Sequence, residues 1–388
     1  MPVRILAAGG GSGGHVTPVV AVLRELRKIE PNIEIRFWVD YAFEKQARTV
    51  MGGYDDSIRV DTIVSGKLRR YHHLKWWHQL MRFRTITLPN IIDAVKVGIG
   101  FIQCLCKLVA WRPDVVFAKG GYVCLPVGLA AHVLRIPLVI HDSDAHPGLT
   151  NRVLARWADA IGTGAPLKFY PYPREISQYV GVPIMEDFVP YSDGRRRENK
   201  AKFGFDPRRP LIVVTGGGLG AQRINDAVVA TLPQLVKQSN IILITGAQQY
   251  SNIRARVPND TDQVHIHDFI SSGLVDMLGA ADIVVARAGA TTILELAALA
   301  KPTILVPNGY LTGGHQLKNA AVYEEKGAVK VIDELQLDDH PEILVRMIET
   351  LLADRAAMAR MGAAFLTFAR PQAARDMADM IIRTAKRK

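Results

Sequence analysis

Five glycines, a serine and a histidine share one seven-residue window, Gly9-Gly10-Gly11-Ser12-Gly13-Gly14-His15. The apolar run Arg4-Ile5-Leu6-Ala7-Ala8 before it predicts a buried strand, and residues 15–29 after it predict a helix. A glycine turn between strand and helix lets bare backbone approach a ligand. The helix N-terminus then offers unpaired N–H groups and the positive end of its dipole to phosphate. His15, at the mouth of the turn, adds a group that exchanges a proton near neutral pH. These residue types point to phosphate or sugar chemistry.

The window also satisfies Gly9-x-Gly11-x-x-Gly14, the dinucleotide fingerprint, and Asp40 ends the next predicted strand, where a ribose-binding acid belongs. Taken alone, this turn admits an NAD-dependent oxidoreductase. A second turn, Gly216-Gly217-Gly218-Leu219-Gly220, follows the strand-like run Leu211-Ile212-Val213-Val214-Thr215 and argues against a single dinucleotide site. Further on, Ile283-Val284-Val285-Ala286 reads as a buried strand, Arg287 to Gly289 as a turn and Ala290 to Ala300 as a helix. The first-turn N–H groups of that helix can hold a diphosphate as negative charge builds on a departing nucleotide. Glu295, one turn further in, reads either as an acceptor of two ribose hydroxyls or as a solvated carboxylate. Arg287 reads equally as an ordinary structural cation.

The elements that must position these groups alternate strand and helix throughout, which predicts an α/β architecture with parallel sheets. Strands are expected near 4–8, 33–39, 57–60, 114–118, 137–141 and 159–163, then near 211–215, 241–245, 264–267, 282–286 and 303–306. A chain of 388 residues exceeds one ordinary core and suggests two domains of roughly 150–200 residues. The charged, turn-rich stretch 183–205 reads as the hinge between them. Residues 1–183 are expected to form one Rossmann-like domain and 184–368 a second, the two facing across a cleft. Residues 369–388 are expected to form a helix that packs back on the first domain.

The net charge of +11 and pI near 9.6 call for an acidic partner: nucleic acid, anionic lipid or a phosphorylated substrate. Three cysteines cannot build a disulfide framework, and Cys104 and Cys106, two apart on one helix, make a poor metal pair. With no secretory signal before the first strand, a reducing cytoplasm is expected. The most apolar stretch, 91–111, is broken by Asp93, Lys96 and Lys107, whereas a spanning helix needs about 20 largely apolar residues.

Residues 9–15 resemble the GG(S/T)GGH signature of the MurG glycosyltransferases, which move N-acetylglucosamine from UDP-N-acetylglucosamine to lipid I in peptidoglycan synthesis. Lys119-Gly120-Gly121-Tyr122-Val123 is similar to the family's GGYV segment. His141-Asp142-Ser143-Asp144-Ala145, followed by Gly148-Leu149-Thr150-Asn151, resembles HEQNA followed by GLTN. Arg287-Ala288-Gly289-Ala290-Thr291-Thr292 with Glu295 resembles RSGAxTxxE, and His315-Gln316-Leu317-Lys318-Asn319-Ala320 resembles the QxxNA element. These motifs keep the family's order along nearly the whole chain.

The resemblance implies a GT-B fold and an inverting transfer without metal or cofactor. The acceptor is expected on the first domain and the UDP-sugar on the second. It implies substrate contacts at Ser12, Gly13, Gly14, Asp144, Gly218, Ile270, Ala290, Thr291, Thr292, Glu295 and Gln316. His15 is the candidate general base, with donor positioning or helix-cap packing as its structural alternative. Asp142 and Asp144 form a DxD that binds metal in other glycosyltransferases; here the pair falls on the HEQNA position, and Asp144 reads as a donor-site side chain. Two departures stand out. The family's VGNPVR is here Val180-Gly181-Val182-Pro183-Ile184-Met185, without its asparagine and arginine. GGSQGA is here Gly216-Gly217-Gly218-Leu219-Gly220-Ala221, without its serine and glutamine.

Between Gly66 and Pro89 lie six basic residues and no acidic one, interleaved with Trp76, Trp77, Leu80, Met81 and Phe83. Basic groups attract anionic headgroups while tryptophans enter the interface, so Trp76, Trp77 and Phe83 are expected to contact a membrane. The same charge with stacking aromatics would also suit single-stranded nucleic acid. A lipid-linked acceptor favours the membrane, no nucleic-acid partner is expected, and a peripheral position on the cytoplasmic face follows. The alternatives are a related transferase acting on another glycolipid, the NAD-dependent oxidoreductase, and a non-enzymatic scaffold that binds sugar nucleotides at a membrane.

Overall fold

The computed structural model describes residues 2–10, 13–67, 82–144, 147–218, 220–270, 273–309 and 315–387, with 13–15, 83 and 315 in backbone only. The chain forms two compact units. One comprises Met1–Met185 with Pro371–Lys388, the other Glu186–Arg370.

The first unit carries β1 (Arg4–Ala8), β2 (Glu34–Asp40), β3 (Arg59–Ile63), β4 (Val115–Ala118), β5 (Leu138–Asp142), β6 (Ala160–Thr163) and β7 (Ser177–Tyr179). They form one parallel sheet in the order β3-β2-β1-β4-β5-β6-β7. Helices α1 (Gly13–Ile29), α2 (Glu44–Gly52), α3 (Leu88–Ala110), α4 (Cys124–Val133) and α5 (Leu149–Leu154) connect them. A parallel sheet is covered on both faces, so its central strands are apolar at consecutive positions. In β1, Ile5 and Ala7 join the core that contains α1, while Leu6 and Ala8 join the opposite core beneath α3 and α4. β1 and β4 are neighbours from which the strand order runs both ways, which opens a crevice at their C-terminal ends. There, Gly121 has φ +84°, and a Cβ on it would lie 2.2 Å from the Gly10 carbonyl. Only glycine lets these two turns touch.

The second unit carries β8 (Leu211–Thr215), β9 (Asn240–Ile244), β10 (Val264–His267), β11 (Ile283–Ala286), β12 (Thr303–Leu305) and β13 (Lys330–Val331), parallel in the order β10-β9-β8-β11-β12-β13. Its helices are α6 (Asp193–Lys202), α7 (Gln222–Leu235), α8 (Tyr250–Arg256), α9 (Leu274–Ala280), α10 (Ala290–Ala298), α11 (His315–Glu325), α12 (Gln336–Asp339), α13 (Glu342–Ala353) and α14 (Arg355–Leu366). The strand order again reverses between β8 and β11. The last helix, α15 (Ala373–Ala385), lies against α1 and sets Met377 and Ile381 into the first unit's core.

Part of the stretch read as a hinge is ordered as a helix. Ser192 caps α6 by accepting from the Arg195 N–H, and Lys200 Nζ lies 2.5 Å from Asp282 Oδ2, with Arg196 on the other oxygen. Its charges bind the second unit, so a pattern without an apolar stripe still packs. Helix α1 begins at Gly13, two residues before the expected start. Among the described residues, no helix is long and apolar enough to cross a membrane.

Candidate functional site

In the first unit, Gly9 and Gly10 leave β1, and Gly13, Gly14 and His15 form the first turn of α1. Ser12 lies outside the described residues. Asp40 ends β2 and is buried against the glycine turn. Its Oδ1 accepts from the Ala42 N–H at 2.9 Å, and Oδ2 would lie 2.9 Å from a Cβ on Gly10. Asp40 thus shapes the glycine turn from beneath.

The ends of β4 and β5 hold a charged cluster that spacing alone does not disclose. Lys119 is 1% exposed and its Nζ donates to Ser143 Oγ. Burial depresses its pKa to about 8, against the pull of Asp142 and Asp144. Asp142 is buried too, and Oδ2 accepts from the Tyr172 hydroxyl at 2.7 Å. Desolvation raises its carboxyl to about 7. Asp144 is half-buried, and its carbonyl accepts from the Tyr170 hydroxyl at 2.7 Å. The two aspartates of the DxD are therefore in different settings, one engaged inside the domain and one at its edge. Among the described residues, no three His, Cys, Asp or Glu side chains group as metal ligands would.

The substituted positions of the VGNPVR segment serve packing. Val182 is buried, with Cγ2 2.8 Å from where a Gly164 Cβ would lie, and Met185 packs on the first unit's core. Trp76 and Trp77 lie outside the described residues. Phe83 begins a π-helical turn, Phe83–Thr87, that leads into α3.

In the second unit, the remaining expected residues all lie beyond the C-terminal ends of strands. Gly218 is exposed in the turn after β8, where Gly217 has φ +74° and its N–H donates to Thr215 Oγ1 at 3.1 Å. Leu219 lies outside the described residues. Ile270 follows β10, half-buried. Gln316, on α11 beyond β12, accepts from the Asn308 N–H at 2.9 Å.

Ala290, Thr291 and Thr292 form the first turn of α10 directly after β11. Gly289 at its N-cap has no side chain to cap it, and the N-terminus of a helix is where an anion binds. Glu295 is 8% exposed, and burial alone raises its carboxyl to about 8. The solvated-carboxylate alternative is thereby excluded. Arg287 Nη1 lies 2.6 Å from Glu334 Oε2 in the interior, which makes it the structural cation. Glu334, 47 positions away, carried no signal in the sequence.

Known proteins share the two-domain fold. Residues 5–163 match the glycosyltransferase family 28 N-terminal domain, and residues 211–377 match the family 28 C-terminal domain. The chain is 32% identical to the UDP-N-acetylglucosamine--N-acetylmuramyl-(pentapeptide) pyrophosphoryl-undecaprenol N-acetylglucosamine transferase of Caldanaerobacter subterraneus, over 92% of this chain and 93% of that one. It is 31% identical to transferase 2 of the same description from Bacillus thuringiensis, over 99% and 100%. Among solved structures it resembles Acinetobacter baumannii MurG, with a TM-score of 0.69 and 24% identity over 98% and 100% of the two chains. It also shares its fold with Neisseria meningitidis UDP-GlcNAc 2-epimerase bound to UDP-GlcNAc, with a TM-score of 0.67 and 12% identity over 98% and 100%. The fold is that of the two-domain GT-B glycosyltransferases, and the oxidoreductase reading falls. Two family 28 domains in order, and nearly a third of the residues shared with full-length transferases, establish that the chain belongs to the MurG family of glycosyltransferases.

Proposed function

We propose that this chain transfers N-acetylglucosamine from UDP-N-acetylglucosamine to lipid I, forming lipid II for peptidoglycan. The observation that carries the reading is the uncapped N-terminus of α10 with Glu295 buried one turn inside it, in a chain of this family. The N–H groups of Ala290, Thr291 and Thr292 hold the donor diphosphate and stabilise charge on the departing UDP. Glu295 accepts from the ribose hydroxyls, while Gly218, Ile270 and Gln316 border the nucleotide. The first domain takes the lipid acceptor at Ser12, Gly13 and Gly14, with Asp144 as a donor-site side chain. His15 removes the proton of the acceptor hydroxyl as that oxygen attacks the anomeric carbon and UDP leaves from the opposite face, inverting the configuration.

The enzyme works as a peripheral protein on the cytoplasmic face of the membrane, held by Trp76, Trp77, Phe83 and the basic residues among them. Transfer of labelled sugar from UDP-N-acetylglucosamine into lipid I is the test, and purified protein that binds UDP but transfers nothing overturns it. The bare Gly218 and the apolar Val182 and Met185 favour one second reading, a different sugar on the donor. Competition among UDP-sugars for transfer decides that point.

A further inference from the structure

The turn after β5 carries one carboxylate more than the motif it resembles. HEQNA has a single acid, whereas Asp142, Ser143 and Asp144 place two within three residues. The cation that answers them lies inside the domain. Lys119 follows β4, its backbone N–H donates to the Ala8 carbonyl at 2.9 Å, and its Nζ ends on Ser143 Oγ. At 1% exposure, an ammonium persists only where counter-charges meet it, and both Asp142 and Asp144 attract this one.

The backbone of the turn is held without Lys119. The Gly164 N–H donates to the Asp142 carbonyl at 2.7 Å, and the Tyr170 hydroxyl donates to the Asp144 carbonyl at 2.7 Å. A Cβ on Gly164 would lie 2.5 Å from the Ser143 carbonyl oxygen, so the end of β6 seats the turn directly. The Asp142 carboxylate has its own donor in the Tyr172 hydroxyl. What remains is the Asp144 side chain, half-buried at the edge, whose carboxylate accepts from no side chain among the described residues. Lys119 acts on it through charge. A carboxylate offers only acceptors, whereas an asparagine amide in that place would offer donors as well. The group that meets Asp144 must therefore be a donor.

We propose that Lys119 sets the specificity of this edge: its buried ammonium compensates the added carboxylate, so that Asp144 recognises a hydroxyl or amide N–H of a sugar substrate. The inference rests on the transfer reaction proposed above, with Asp144 at the substrate. Lys119 itself touches no substrate and is a positioning residue.

The test is a double-variant cycle on the full chain, read in sugar transfer to lipid I. Lys119→Met keeps the length of the side chain without its charge. It should raise one KM roughly ten- to hundredfold, the coupling range of residues in one charge network, with kcat little changed. A rise for UDP-N-acetylglucosamine places the recognised group on the donor sugar, and a rise for lipid I places it on the acceptor. Lys119→Met with Asp144→Asn returns the turn to a single acid and should bring KM to within about twofold of Asp144→Asn alone. Ser143→Ala keeps both charges and should change KM by no more than about threefold, the loss of one ordinary hydrogen bond. Urea denaturation of the same proteins separates this inference from the transfer reaction. The midpoints of Lys119→Met and Asp144→Asn should be non-additive even in a chain that transfers nothing. Additive midpoints overturn the charge pairing. Parental KM values in Lys119→Met, or a double variant no better than Lys119→Met, overturn the specificity role. A Ser143→Ala loss as large as that of Lys119→Met also overturns it, because the hydrogen bond rather than the charge would then hold the site.

Discussion

Arg287 Nη1 stands 2.6 Å from Glu334 Oε2, with both side chains withdrawn from solvent. The same guanidinium donates to the Val306 carbonyl at 3.1 Å, and Glu334 also draws Arg223 of α7 to 3.6 Å. One pair therefore ties the turn before α10 to the end of β12 and to the neighbouring helix. It is framework for the edge of the second domain where α10 begins.

Glu334→Ala leaves Arg287 buried without its counter-ion. Breaking a buried pair from one side costs about 3–5 kcal/mol. The denaturation midpoint should fall accordingly, and the double variant with Arg287→Met should recover part of the loss. An unchanged midpoint in urea would show that the pair contributes nothing.

Glu295 should make nucleotide binding depend on pH. Its carboxyl titrates near 8 in the folded, ligand-free protein and near 4.5 when unfolded, so the native state holds an extra proton between those values. Stability contributed by that proton is complete below 4.5 and is lost as pH rises through 8. In the proposed site the ribose hydroxyls donate to the ionised form, so UDP should bind with proton release and tighten from about pH 6 to about pH 8. Glu295→Gln should flatten this slope and weaken binding at the alkaline end by about 1.5–3 kcal/mol. Calorimetry in buffers of different ionisation enthalpy measures both effects. A parent whose UDP affinity is flat with pH would remove Glu295 from the ribose.

His15→Ala should reduce turnover by roughly 10²–10⁴-fold, the range for a lost general acid–base group. Donor affinity should hardly move, because its proposed partner is the acceptor hydroxyl. Near-parental turnover with collapsed UDP-sugar binding would make His15 a donor-positioning residue.

Replacing Trp76, Trp77 and Phe83 by serine should release the protein from anionic vesicles and leave UDP-sugar binding intact. Each basic residue near such a surface contributes about 1 kcal/mol, screened by salt, whereas inserted aromatics resist salt. Co-sedimentation across a salt series, with single-stranded RNA as competitor, separates the contributions. Equal sedimentation of parent and triple variant would sink the insertion.

Much of the fold was legible because parallel sheets write themselves as apolar runs. β4 and β11 are buried and apolar at every position, and β1 and β8 are so except for Arg4 and Thr215 at their ends. β7, with sequence SQY, and β13, with sequence KV, are short edge strands without an apolar pattern, and only the finished sheet reveals them. Helix α6 escaped for a related reason, since Asp282, some 80 residues away, satisfies its charges. In the candidate site, the strand–turn–helix around Ala290 and the place of Glu295 on that helix were readable from spacing. The partners of Arg287 and Lys119 were not. Glu334 and Ser143 reach them through tertiary contacts, which no local pattern encodes.

The return of α15 to the first unit has a consequence for synthesis. Met377, Ala378, Met380 and Ile381 complete the core that begins with β1 and α1. The ribosome delivers Glu186–Arg370 before it delivers them. The first domain therefore waits, with a groove along α1 uncovered, while the second is made. A chain interrupted after Arg370 should carry an intact second domain beside a first one with its core open to chaperones and proteases.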